Sequence, residues 1–177
     1  MNTILFGFKS CGKTYFGKKL SEYLSRPFID TDRLIEEEYA LLKKERIGCR
    51  EIYMKLGEEG FRALETQVLA ALQNVQSCII AVGGGMILHR SNVEILEKMG
   101  QLIYLSLDKE ALKKRVLSAP LPAYLDPIDQ EGSFDRMYEK RKTIYERVRA
   151  VRIDVSNKMD EAVLEELAAT INAQENK

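Results

Sequence analysis

Apolar positions along the chain follow two rhythms. Five short, nearly unbroken apolar runs stand out: TILFG (3–7), RPFID (26–30), SCIIAV (77–82), QLIYLSL (101–107) and VRIDVS (151–156). Runs of this length, rich in Ile, Leu and Val and bounded by glycine or polar residues, predict buried strands of a parallel sheet. Between them the apolar residues recur every three or four positions. Phe16, Leu20 and Leu24 mark one helix in KTYFGKKLSEYL, and TDRLIEEEYALLKK reads as a second. CREIYMKL and EEGFRALETQVLAALQNV predict two more, separated by Gly57. SNVEILEKMG predicts a helix with Ser91 as N-cap and Gly100 as its stop. DKEALKKRVLS, FDRMYEKRKTIYERVRA and DEAVLEELAATINA complete the set.

Strands alternating with helices imply an α/β fold, a parallel sheet with helices on both faces. One segment escapes both rhythms. APLPAYLDPIDQEGS (119–133) holds three of the four prolines and reads as a lid. The length of 177 residues fits a single domain, 1–177.

Composition narrows the function classes. Twenty-seven basic residues balance 27 acidic ones, so no net field draws the chain to nucleic acid or membrane. Cys11, Cys49 and Cys78 are odd in number and widely spaced, against a disulfide framework or a zinc site. No apolar run approaches the ~20 residues of a membrane span, and MNTILFGF lacks the make-up of a signal peptide. The expectation is a soluble cytoplasmic protein, with neither nucleic acid nor membrane as partner. The only histidine, His89, reads as solvated.

The chemistry begins at GFKSCGKT (7–14). Gly7 and then Gly12-Lys13-Thr14 match the phosphate loop G-x-x-x-x-G-K-[ST], between a strand and a helix as the motif requires. Its backbone N–H groups would cradle phosphate, Lys13 would reach the β- and γ-phosphates, and Thr14 would ligate Mg²⁺. Cys11 beside Lys13 raises the question of a reactive thiol.

At the second strand's end, FIDTD places Asp30 and Asp32 two apart. On extended backbone such side chains share a face, and ligands of parallel sheets sit beyond this edge. One carboxylate suits Mg²⁺ and the other an attacking hydroxyl. Capping of the next helix by Asp32 or Thr31 accounts for one of these acids but not both. Arg141 falls where the stripe of Phe134, Met137/Tyr138, Ile144/Tyr145 and Val148 calls for an apolar residue. Arg62 adjoins Phe61, with Glu65 three residues on. Two held arginines suit a planar carboxylate ligand, and internal pairing with Glu65 or Glu139 is the plainer reading. Gly83, Gly84 and Gly85 let a ligand approach the backbone.

Taken in order, GFKSCGKT, FIDTD, GEEGFRALE, AVGGG and EKRKTIY resemble the shikimate kinase family over nearly the whole chain, to about residue 158. The resemblance implies a three-layer P-loop kinase fold with a central five-stranded parallel sheet, a substrate-binding helical insert at about 31–62 and a lid at about 119–133. It implies transfer of the γ-phosphoryl of MgATP to the 3-hydroxyl of shikimate, and a monomer is the expected state. Under it Lys13 and Asp32 are the catalytic residues, and Thr14 and Asp30 hold Mg²⁺. Ser10, Cys11, Gly12, Lys13, Thr14, Tyr15, Arg115 and Lys158 meet the nucleotide. Asp32, Arg62, Gly83, Gly84, Gly85 and Arg141 meet shikimate.

Two departures stand out. Ser10 replaces a usual glycine, and Ala119 replaces a usual lid arginine before Pro-Leu. Either Arg115 or Arg136 takes over that charge, or transfer is slower. The alternatives are a kinase for another hydroxy-acid such as gluconate, and a nucleotide-binding relative without catalysis.

Overall fold

The computed structural model describes residues 1–175. Among them five strands alternate with seven helices: β1 (Asn2–Phe6), α1 (Lys13–Leu24), β2 (Phe28–Asp30), α2 (Thr31–Lys43), α3 (Cys49–Ala71), β3 (Ile79–Ala81), α4 (Arg90–Met99), β4 (Gly100–Ser106), α5 (Lys109–Leu117), α6 (Gln130–Tyr145), β5 (Val151–Asp154) and α7 (Asp160–Glu175). All strand pairs are parallel, in the order β2-β3-β1-β4-β5. The α/β expectation and its five strands are borne out. No helix among the described residues is long and apolar enough to cross a membrane.

β1 is buried along its full length, as the middle strand of such a sheet must be. Its first residue solves a polar problem. The buried Asn2 side chain donates to the carbonyls of Val75 (2.8 Å) and Met99 (3.0 Å) and accepts from the Cys78 N–H (3.0 Å). One amide thereby fixes the approaches to β3 and β4. Below the site, Phe6 stacks on Tyr104 (5.2 Å between centroids) and meets the edge of Tyr145 (5.9 Å).

The strand order positions the chemistry. β3 lies between β1 and β2, with Asp30 and Leu5 both in register with Ala81. The phosphate loop, the aspartate corner and the three glycines therefore leave neighbouring strands at the same height, on the carboxyl edge where ligands of such sheets bind.

Several boundaries differ from the sequence expectation. α4 starts at Arg90 with His89 at its N-cap, so Ser91 lies inside the first turn; the exposed His89 is solvated, as expected. The two helices expected on either side of Gly57 are both present and meet within α3 at a kink, where Gly57 takes the non-helical φ 69°, ψ −178°. α6 begins at Gln130, since the Asp129 carboxylate caps it by accepting from the Gly132 N–H (3.0 Å). The last four residues of the expected lid are thus helical.

Candidate active site

The phosphate loop is a left-handed turn opening a helix. Ser10 has φ 67° and Gly12 φ 107°, conformations that glycine adopts freely and serine does at a cost of order 1 kcal/mol. Glycine would therefore be the easier residue at position 10. Gly12 is also the N-cap of α1 and supplies no side-chain bond, and the first turn carries no acid. The uncapped N–H groups and helix dipole are left for an anion. The Lys13 ammonium donates to the carbonyls of Gly7 (3.1 Å) and Phe8 (2.9 Å). Phe8 anchors the loop from beneath, its ring 4.8 Å from those of both Tyr138 and Tyr145 on α6. Those tyrosines lie three before and four after Arg141. The packing that seats the loop therefore turns Arg141 toward the same cleft.

Asp30 and Asp32 meet the cleft by a route other than strand alternation. Asp30 ends β2 and caps α2, its Oδ1 accepting from the Asp32 N–H (3.0 Å). Its Oδ2 accepts from the Thr14 hydroxyl (2.7 Å). Asp32 is in the first turn of α2, where helical geometry and not the two-residue strand period aims it. One aspartate caps and the other stands free. Asp32 is exposed to the cleft, yet the cleft walls crowd it. Loss of bulk water raises its carboxyl pKa, and Lys13 is the strongest opposing charge.

Each glycine of the triplet lies against a side chain of the site. A Cβ on Gly83 would fall 2.6 Å from Asp32 Oδ1, and one on Gly85 only 1.9 Å from an Arg62 nitrogen. The close approach expected of a ligand is made by the protein's own aspartate and arginine. Gly84 is held by its carbonyl, which accepts from the Tyr145 hydroxyl (2.7 Å), and the Gly83 N–H donates to the buried Thr31 hydroxyl (3.0 Å).

The two arginines are held differently. Arg62 pairs with buried Glu65 at 2.6 Å, and its Nε has no partner among the described residues. Arg141 is 7% exposed and makes no ion pair among them; its guanidinium lies 4.2 Å from the centre of the Tyr124 ring. Glu139, the suggested partner of Arg141, bonds Lys109 instead (3.0 Å). Arg141 is thus a buried cation that makes no direct ion pair with a carboxylate of the described residues, although its charge is felt at Glu65.

Burial pushes the Glu65 carboxyl up to about 7, against the opposing pull of Arg62. The folded chain then holds this proton more tightly than the unfolded one. Glu65 accordingly contributes stability below pH ~4.5 that is lost as pH rises to about 7, amounting to about 3 kcal/mol at most. Urea unfolding of the wild type and Glu65→Gln at several pH values checks this. The stability difference should shift against the wild type across that window and level off above it. A pH-independent difference would contradict the assignment.

A cleft of about 450 Å³ brings together Lys13, Thr14, Asp30, Asp32, Arg62 and Arg141, along with Ser10, Gly12, Tyr15 and the three glycines. Other expected residues stay out. Cys11 does not line the cleft: its buried thiol is shielded from solvent, against the reactive-thiol reading, and its N–H bonds the Phe8 carbonyl (3.3 Å). Lys158, between β5 and α7, pairs at 2.5 Å with Glu166 of α7 and does not line the cleft. Arg136 is turned to Asp129 (2.9 Å). Arg115 does not line the cleft either, but reaches the Ser10 carbonyl at 3.4 Å. Tyr15, at the rim, bonds Asp160 and so ties α1 to α7.

Tyr124 was missed, and an aromatic residue inside a Pro-rich loop was the available signal. Arg50, whose Nε holds the lid carbonyl of Leu121 (2.8 Å), gave none.

A phosphate loop on a parallel sheet, facing an acid and two buried arginines, defines a P-loop kinase of the small-molecule type. The comparisons agree. The shikimate kinase family model matches residues 9–172. The shikimate kinase of Caldanaerobacter subterraneus subsp. tengcongensis is 37% identical, over 94% of this chain and 93% of its own. That of Alkaliphilus oremlandii is 32% identical, over 96% and 98%. Among solved structures, shikimate kinase from Acinetobacter baumannii in complex with shikimate superposes with TM-score 0.85 at 28% identity, over 99% of this chain and 95% of that one. The chain belongs to the shikimate kinase family.

Proposed function

We propose that this protein transfers the γ-phosphoryl group of MgATP to the 3-hydroxyl of shikimate, giving shikimate 3-phosphate and ADP. One observation carries the reading: Asp32, Arg62 and the unpaired Arg141 line a single cleft beside the phosphate loop. The two guanidinium groups hold the carboxylate of shikimate by paired, charge-assisted hydrogen bonds. Asp32 accepts the proton of the 3-hydroxyl as its oxygen bonds to the γ-phosphorus and the bond to ADP breaks. The first turn of α1 binds the phosphates, and Lys13 exchanges its loop carbonyls for phosphate oxygens. Thr14 and Asp30 offer a hydroxyl and a carboxylate 2.7 Å apart, hard oxygen donors suited to Mg²⁺. When bound there, Mg²⁺ supplies positive charge to the phosphate chain. The insert of α2 and early α3 forms the shikimate side, and residues 119–129 form the lid, with Tyr124 against Arg141. One chain supplies every group, so a monomer suffices. The three free cysteines suit a reducing cytoplasm.

The gluconate alternative finds little support. A gluconokinase from Sinorhizobium meliloti shares the fold at 16% identity and TM-score 0.58. A coupled assay for ADP release decides between the readings. Shikimate should drive release strongly, with neither gluconate nor the absence of acceptor doing so. Gluconate-driven turnover, or nucleotide binding with no turnover, would overturn the proposal.

A further inference from the structure

Phosphoryl transfer needs positive charge on the moving group, and catalysis of it is largely positioning and electrostatics. Five cationic side chains line the cleft: Lys9, Lys13, Arg50, Arg62 and Arg141. Four have partners. Lys13 bonds loop carbonyls, Arg50 the Leu121 carbonyl, Arg62 pairs with Glu65, and Arg141 lies on Tyr124. The exposed Lys9 makes no hydrogen bond or ion pair among the described residues. The lid adds no charge of the required sign, because APLPAYLDPID (119–129) contains neither Lys nor Arg.

Phe8 before Lys9 is buried against two tyrosines, Ser10 after it turns left-handed, and Lys9 between them is exposed and lines the cleft. Lys9 and Asp32 line the same cleft. An ammonium carried on the loop that holds the phosphates, in the cleft that also holds the acid for the acceptor hydroxyl, can serve the group that passes between them.

We propose that Lys9 contacts the γ-phosphoryl oxygens during transfer and supplies from the phosphate loop the charge that the lid lacks. This rests on the shikimate kinase reading above. The bonds made and broken are unchanged: the acceptor oxygen bonds to phosphorus, the bond to ADP breaks, and Asp32 takes the proton.

The test is steady-state kinetics of wild type, Lys9→Met and Lys9→Arg, with both KM values resolved. Lys9→Met should lower kcat about 100-fold, the scale for losing one preorganised charge contact, with both KM values within about threefold. Lys9→Arg should stay within about tenfold of wild-type kcat. A binding measurement separates this role from a structural one. Lys9→Met should lose affinity for ADP plus aluminium fluoride in the presence of shikimate, and keep its affinity for ADP alone. Unchanged kcat in Lys9→Met, or a raised KM for shikimate alone, would overturn the inference and leave the function standing. A wild type that releases no ADP on addition of shikimate overturns the function itself.

Discussion

Asp32→Asn should lower kcat by roughly 10²–10⁴-fold, the usual worth of a positioned general base. The substitution keeps the shape of a side chain whose Oδ1 already lies where a Cβ on Gly83 would come within 2.6 Å, so the cleft should not collapse. The capping bond uses the residue's backbone N–H and survives the change. Only the proton-accepting charge is removed. The pH profile gives an independent readout. A base works in its ionised form, so wild-type activity is present above its pKa and falls as pH drops through it. Loss of bulk water raises that pKa above the ordinary aspartate value. The acid limb of the wild-type profile should therefore lie above the ordinary aspartate range and vanish from the residual activity of the variant. Stopped-flow or coupled kinetics across pH would check both points. A variant within about fivefold of wild-type kcat would remove Asp32 from the proton transfer.

Arg141→Ala should cut kcat/KM for shikimate by about 10²–10³-fold, corresponding to the 2–5 kcal/mol scale of a buried charge contact. KM for ATP should stay within about threefold. The reason is its setting: a buried guanidinium stacked on Tyr124, with no direct carboxylate partner among the described residues, gains a charged partner when an anionic ligand arrives. Arg141→Lys should recover little, because an ammonium cannot present two parallel donors or stack on the ring. The stability outcome separates the two arginines. Removing Arg141 orphans no acid, whereas Arg62→Ala leaves the buried Glu65 without its 2.6 Å partner and should destabilise the fold by about 3–5 kcal/mol. Equal losses for shikimate and ATP in Arg141→Ala would show general disruption and count against the clamp.

Much of the site was legible because its parts are local. The phosphate loop, the aspartate pair and the arginine that interrupts an apolar stripe are each visible within a dozen residues. The reading failed where a side chain's surroundings come from distant segments. The Cys11 thiol sits beside a lysine in sequence but turns into the core. Lys158 is basic and near the last strand, yet Glu166, eight residues on, holds it away from the cleft. The Asp30–Asp32 pair was expected from the right residues by the wrong geometry, because β2 ends at Asp30 and a helix takes over at once. Tyr124 carried no period at all, and Arg141 gives it meaning only in three dimensions.

By itself the sequence determined the element types, the anion-binding turn and the roster of charged groups, because periodicity, glycine placement and loop spacing act over a few residues. Tertiary structure decided which of those groups meet. Only the insertion of β3 between β1 and β2 places the three glycines against both Asp32 and Arg62. Only the packing of Phe8 on Tyr138 and Tyr145 turns Arg141 toward the phosphate loop. Strand order and ring packing depend on burying apolar surface that lies far apart in the chain, and no local pattern encodes such pairings.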